Sequence, residues 1–300
     1  MAEAPRKAEA PRKPEAKKKA KKGGGMKPDI ATFGGIAAAL GGILGGLILE
    51  GGRILDVTQV TAAFIVLGGT FGAMMIGTPL STIMRAMKRF KDVFFMRSMD
   101  ADSAVEEIIG YATKARKGGI VCLEAEADKI QDPFLRKALN LAVDGTDLQE
   151  LRKMMELQIS IEHERTEAEA KVFEAAGGYS PTIGIIGAVL GLIQVMKNLS
   201  NIEEVGHGIA VAFVATVYGV GLANIVLLPA ASKIKARAKR ELEMKELVVE
   251  GVIGIVEGLN PKLIRSKLEA YAPPADKKKP KKVKAPAASA AVKAAAPKAA

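Results

Sequence analysis

Four stretches, Ile30–Leu49, Val57–Met84, Ala175–Met196 and Val205–Ser232, contain no Asp, Glu, Lys or Arg, and they lie two on either side of a charged span of 90 residues, 85–174. Each meets the roughly 20 apolar residues that a helix needs to cross a hydrocarbon core of about 30 Å, where lipid satisfies no exposed backbone group. The alternative, buried helices of a large soluble bundle, would need amphipathic partners around them. The expectation is an all-α membrane protein with four transmembrane helices and a large helical cytoplasmic domain between the second and third.

A net charge of +11 invites a nucleic-acid reading, but the excess sits at the ends of the chain. Residues 1–25 carry nine Lys/Arg against three Glu, residues 271–300 carry eight Lys against Asp276, and 26–270 is left at −2. Both tails are Ala/Lys/Pro low complexity, which cannot bury enough apolar surface to offset its ordering entropy, so disordered basic tails are expected at 1–25 and 271–300. With no interleaved aromatic residue and no basic folded patch, the tails fit membrane lipid or another polyanion, and no specific nucleic-acid partner is expected. One cysteine, Cys122, excludes internal disulfides, and two histidines give no metal framework. No Gly-rich phosphate loop follows a strand, so neither an enzyme nor a cofactor is expected.

Basic residues crowd ahead of the first stretch, after the second (Arg85, Lys88, Arg89, Lys91) and after the fourth (Lys233, Lys235, Arg237, Lys239, Arg240), whereas 50–56 and 197–204 hold one each. The positive-inside bias therefore places both termini and the large loop in the cytoplasm. The domain order is then transmembrane helices 1 and 2 in 26–84, a cytoplasmic helical domain in 85–174, transmembrane helices 3 and 4 in 175–232, and a cytoplasmic helix in 233–270. Within 85–174 the residues Val105, Ile108, Ile109 and Ala112 recur at helical spacing up to Gly118-Gly119, Asp132-Pro133 opens a second helix, and Asp147 with Glu150 starts a long third that runs towards Ala175; no strand pattern competes. Gly41/Gly45, Gly42/Gly46, Gly68/Gly72 and Gly187/Gly191 are small-xxx-small pairs suited to close helix contact, within one subunit or between subunits.

No span holds a titratable carboxylate at depth, so if the chain conducts ions a partner must supply one. Thr216 lies about ten residues into the fourth span, hence about 15 Å deep, and Ala188 reaches a similar depth from the other side. The alternative for Thr216 is a hydroxyl bonded to the preceding turn of its own helix. Pro181 and Pro229 fall near the cytoplasmic ends of their helices, where a missing N–H loosens the ladder and permits a hinge; the alternatives are a first-turn proline and a stop signal.

Pro181-Thr182-Ile183-Gly184-Ile185-Ile186-Gly187-Ala188-Val189-Leu190-Gly191, and Ala212-Phe213-Val214-Ala215-Thr216-Val217-Tyr218-Gly219-Val220-Gly221 with Pro229 thirteen residues after Thr216, resemble the third and fourth spans of the MotA family of flagellar-motor stator subunits. Arg116 and Glu124, eight apart across Gly118-Gly119, match that family's pair of rotor-contacting charges. The likeness runs over roughly 26–270, and two spans before the loop separate the chain from the ExbB/TolQ relatives. The resemblance implies a homopentamer around a MotB-type, peptidoglycan-anchored subunit in the bacterial inner membrane, with an ion-accepting aspartate on that partner and the head driving the rotor protein FliG. It also implies coupling roles for Pro181 and Pro229, and proton rather than sodium drive, because sodium-driven members carry Thr at the position of Ala188 beside the Thr matching Thr216. Two alternatives remain at this point: an ion-driven motor of another kind, such as gliding or outer-membrane energisation, and a non-conducting membrane scaffold with polyanion-binding tails.

Overall fold

The computed structural model describes residues 27–96, 101–127 and 129–271, so the expected tails lie outside the described residues, apart from Tyr271. The first apolar stretch is one helix, α1 (Ile30–Leu49), capped by the Asp29 carboxylate, which accepts the Ala31 and Thr32 N–H groups. The second, expected to be continuous through Met84, is not. α2 (Val60–Gly77) stops where Thr78 turns extended ahead of Pro79, since the proline ring disfavours helical geometry in the residue before it. α3 (Leu80–Phe94) then starts afresh as an amphipathic helix that buries Ile83, Ala86 and Val93 and carries Arg85, Lys88, Arg89 and Lys91. A further departure is a two-residue antiparallel pairing of β1 (Lys27–Pro28) with β2 (Phe95–Met96), too short to leave any alternation in the sequence.

The head begins with α4 (Ala101–Gly118), a 3-10 turn at Ile120–Leu123, α5 (Glu124–Ala127) and α6 (Pro133–Val143), whose cap is the Asp132 side chain on the Phe134 N–H. α7 (Leu148–Lys197) runs 50 residues without interruption from an Asp147 cap, about 75 Å at 1.5 Å per residue. The last long segment is also unbroken: α8 (Ile202–Gly221), a π-helical turn (Leu222–Leu227) and α9 (Leu228–Val256) form one 55-residue helix, followed by α10 (Pro261–Leu268). Among the described residues four helical segments, Ile30–Leu49, Ile54–Gly77, Leu148–Lys197 and Ile202–Val256, are long and apolar enough to cross a membrane. The stretch 233–270, expected as a cytoplasmic helix, is helical over 233–256 and Pro261–Leu268 and contributes to the head core. Leu247, Val252, Ile253, Ile264 and Leu268 are buried in one cluster with Ile108, Leu123, Leu139, Leu151 and Met155.

Glycine decides how closely α7 and α8 approach. A Cβ at Gly219 would stand 2.6 Å from the Ser180 carbonyl oxygen, one at Gly184 2.9 Å from the Ala215 carbonyl oxygen, and one at Gly191 2.8 Å from the Gly208 carbonyl oxygen. Gly187/Gly191 is therefore an internal packing pair, whereas Gly41, Gly45, Gly42, Gly46, Gly68 and Gly72 face open space.

α1 buries none of its residues and is held chiefly at its first turn. Asp29 pairs with Lys233 Nζ at 2.5 Å and Arg237 Nη2 at 2.8 Å, while Arg237 also donates to the Phe95 carbonyl at 2.8 Å and Lys233 to the Thr32 hydroxyl. This clasp ties α1, the end of α3 and α9 together. The Lys233 hydrogen bond outweighs burial and, with the Thr32 N–H and Arg237, holds the Asp29 carboxyl below its ordinary range.

Two outcomes are expected. Gly219→Val forces α7 and α8 apart and lowers stability by about 1–3 kcal/mol, read as thermal unfolding in detergent; an unchanged melt refutes the contact. Asp29→Asn costs about 1–3 kcal/mol at neutral pH. Because the folded carboxyl titrates below its unfolded value of 3.8, that difference is full above pH 3.8 and closes as the pH falls further towards the folded value. A difference independent of pH down to full protonation refutes the ionic role.

Candidate functional site

The residues singled out at depth meet on the α7–α8 seam. A Cβ at Gly184 would lie 3.4 Å from the Thr216 Cα, and Ala188 is one turn further along the same side of α7. Both Ala188 and Thr216 are half-buried. The Thr216 hydroxyl donates to the Ala212 carbonyl at 3.2 Å, so the local bond does form. Its oxygen lone pairs remain able to accept from water or a carboxylic acid. The other polar anchors nearby are structural: Ser180 Oγ donates to the Gly219 carbonyl at 2.9 Å, and the Tyr218 hydroxyl donates to the Val57 carbonyl at 2.7 Å while accepting the Gln59 N–H.

Neither proline ends a helix. Pro181 lies in the interior of α7, where it cannot bond the Gly177 carbonyl, and Gly177 is the point at which Leu228 packs so closely that a Cβ would meet its Cδ2 at 2.6 Å. Pro229 stands two residues after the end of the π-helical turn Leu222–Leu227, which contains the Ile225 carbonyl it cannot bond. The first-turn and stop-signal alternatives therefore do not hold. Both long helices have their weakened hydrogen-bond ladders at the same level of the molecule.

Below that level lies a charged junction that the sequence analysis did not single out. Glu169 is buried, its side chain only 8% exposed, and takes Arg89 Nε at 2.6 Å and Arg85 Nε at 3.6 Å from α3. Arg89 also reaches Glu241 of α9 at 3.7 Å, and Lys245 of α9 pairs with Glu162 of α7. These groups and His163 line a cavity of about 260 Å³ between α3, α7 and α9. Burial alone would raise the Glu162 carboxyl, but the hydrogen bonds from Lys245 and Gln158 prevail and hold it below the ordinary glutamate range. The signal available in the sequence was phase: Thr166, Glu169, Phe173 and Gly177 follow the three-four spacing of a buried face, with Glu169 on it.

At the far end of the head, Arg116 sits in the last turn of α4 and Glu124 opens α5, both exposed. Gly119, with φ +78, makes the turn between them, and Lys114 with Glu126 at 2.5 Å ties α4 to α5 beneath. Among the described residues neither Arg116 nor Glu124 forms an ion pair, so both charges are available outward. No group of three or more His, Cys, Asp or Glu among the described residues is placed to hold a metal ion.

Residues 126–247 match the MotA/TolQ/ExbB proton channel family, and 33–117 match the motility protein A N-terminal family. Motility protein A of Bacillus subtilis is 34% identical over 255 residues, 84% of this chain and 93% of that protein. Motility protein A of Helicobacter pylori is 34% identical over 84% of this chain and 98% of its own length, and the chemotaxis protein PomA of Vibrio alginolyticus is 31% identical over 81% and 95%. Among solved structures, MotAB of C. jejuni superposes with a TM-score of 0.79 at 32% identity, covering 83% of this chain and 98% of that one. The flagellar MotAB stator complex of Bacillus subtilis gives 0.76 at 32% identity, over 82% and 97%. With the paired long helices and the glycine seam, these matches establish that the chain belongs to the MotA/TolQ/ExbB proton channel family, as a MotA-type stator subunit of the bacterial flagellar motor.

Proposed function

We propose that this subunit forms a ring of five around a MotB-type partner, that protons pass to an aspartate of that partner along the Ala188–Thr216 seam, and that the head turns the rotor protein FliG through Arg116 and Glu124. The observation that carries this reading is mechanical: α7 and the α8–α9 helix each run unbroken from the span into the head, and each is weakened at the same level, at Pro181 and at the π turn before Pro229. A displacement at the seam is then delivered to the head by two rods rather than absorbed in a loop. The partner supplies the acid because the spans hold none. Solved relatives named as MotAB complexes support a partner of the MotB type. A five-fold ring accords with α1, which buries nothing within its own chain and turns Gly41, Gly45, Gly42 and Gly46 outward.

The positive-inside bias puts the head, both termini and the tails on the cytoplasmic side of the inner membrane, with the tails against anionic lipid. Pro181 and Pro229 serve as the hinge points. A sodium ion would need oxygen ligands in place of its water, and the methyl of Ala188 supplies none, whereas a proton reaches a carboxylate through water. Thr216 holds that water or the carboxylate beside the path.

Two measurements test the reading. In a strain without other stators, Arg116→Glu is expected to impair swimming while membrane assembly persists, with partial rescue by a charge reversal on FliG, because like charges brought face to face repel where opposite charges had attracted. Normal swimming of Arg116→Glu, Glu124→Lys and the double variant sinks the assignment. Swimming speed is expected to be insensitive to external sodium and to collapse when the proton gradient is dissipated. A motor that halts on sodium withdrawal at constant proton-motive force refutes proton drive.

A further inference from the structure

We propose that the head carries a groove beside Arg116 that takes an apolar side chain of the rotor, and that the Arg116 guanidinium pairs with a carboxylate flanking that side chain. This inference rests on the rotor-contact reading above. The groove is a cavity of about 390 Å³ between the end of α4, the turn after α6 and the end of α9. Ala112, Ala115, Ile120 and Ile255 contribute to its apolar lining, and two turn glycines, Gly145 with φ +75 and Gly258 with φ +68, leave its walls open where side chains would fill them. Its size lies at the lower end of the range of built ligand pockets, about 300–1,000 Å³, which suits one large apolar side chain rather than an extended ligand.

Charge identifies the occupant. Arg116 follows Ala112 by four residues, hence lies on the same side of α4, and it lines the groove while making no ion pair among the described residues. Its neighbour Lys114 is already paired with Glu126. Arg116 stands exposed at the rim of the groove and is unpaired among the described residues, so the occupant that fits both features is an apolar side chain with a carboxylate beside it. Lipid is excluded by distance. The groove's Thr146 precedes Ala175 by 29 residues of nearly continuous helix, which puts it about 40 Å below the span.

The test uses the whole stator in cells lacking other stators. Thr146→Phe and Ala115→Leu fill the groove from half-exposed positions, and Thr146→Val is the near-isosteric control. Both fillers are expected to weaken stator engagement about tenfold, read as stators bound per motor in a tethered-bead assay, with co-purification of the MotB-type partner unchanged and Thr146→Val close to wild type. A photo-crosslinking residue at position 146 is expected to capture FliG. If the fillers engage normally while Arg116→Glu is impaired, the groove is refuted and the rotor contact stands; if Arg116→Glu is also silent, both fall. Lost assembly in both fillers, or crosslinking to another copy of this chain, makes the groove a subunit interface and overturns the proposal.

Discussion

Backbone contact between α7 and α8 is the constraint on which the rest of the molecule depends. In hydrocarbon, helices gain nothing from burying apolar surface against each other, so association rests on close packing and the few hydrogen bonds available. Here Gly184, Gly191, Gly208 and Gly219 let carbonyl oxygens and Cα atoms of the opposite helix come where a methyl would clash, and Ser180 adds a bond across the gap to Gly219. A seam this close holds Ala188 and Thr216 at fixed depth. It also makes the pair a mechanical unit, because neither helix can slide without separating backbone from backbone.

Outside the spans, the construction changes from small residues to charge. Arg85, Arg89, Glu169, Glu241, Glu162 and Lys245 join α3, α7 and α9 just beyond the spans, and Asp29, Lys233 and Arg237 secure α1 to the same assembly. Replacing such pairs by apolar residues often stabilises a protein, whereas removing one partner leaves a buried charge uncompensated. Their value here is geometric. Arg89 of α3 reaches both Glu169 of α7 and Glu241 of α9, and directional bonds from one guanidinium to carboxylates on two other helices fix the helices' relative positions where apolar contacts would allow sliding.

The two prolines stand where the long helices have their weakest backbone ladders. A proline in a long helix leaves the carbonyl four residues before it without its donor and crowds that same carbonyl with its ring. α7 keeps its helical course through Pro181, and the last helix absorbs Pro229 by widening into a π turn just before it. Each helix thus has one place with a thinned ladder, both at the level where Gly177 receives Leu228. The proposed hinge lies there, and beyond it the head is closed around a single core drawn from α4, α6, α7, α9 and α10.

Much of this was determined by the sequence alone. Charge-free length forces the spans and places α1 at Ile30–Leu49; Asp132-Pro133 and Asp147 mark helix starts, and α6 and α7 begin where those signals place them. The motif around Pro181–Gly191 and Ala212–Gly221 carried the family. The tertiary structure alone decided which glycines face a neighbour in the same chain, since Gly187/Gly191 and Gly41/Gly45 have the same spacing and differ only in what stands opposite. It alone revealed the burial of Glu169, whose surroundings come from α3, 80 residues away, and the sharing of one core by two stretches that the span between them separates. Local signals reflect short-range physics, caps and periodicity; partners distant in sequence leave no mark on the pattern until the chain has brought them together.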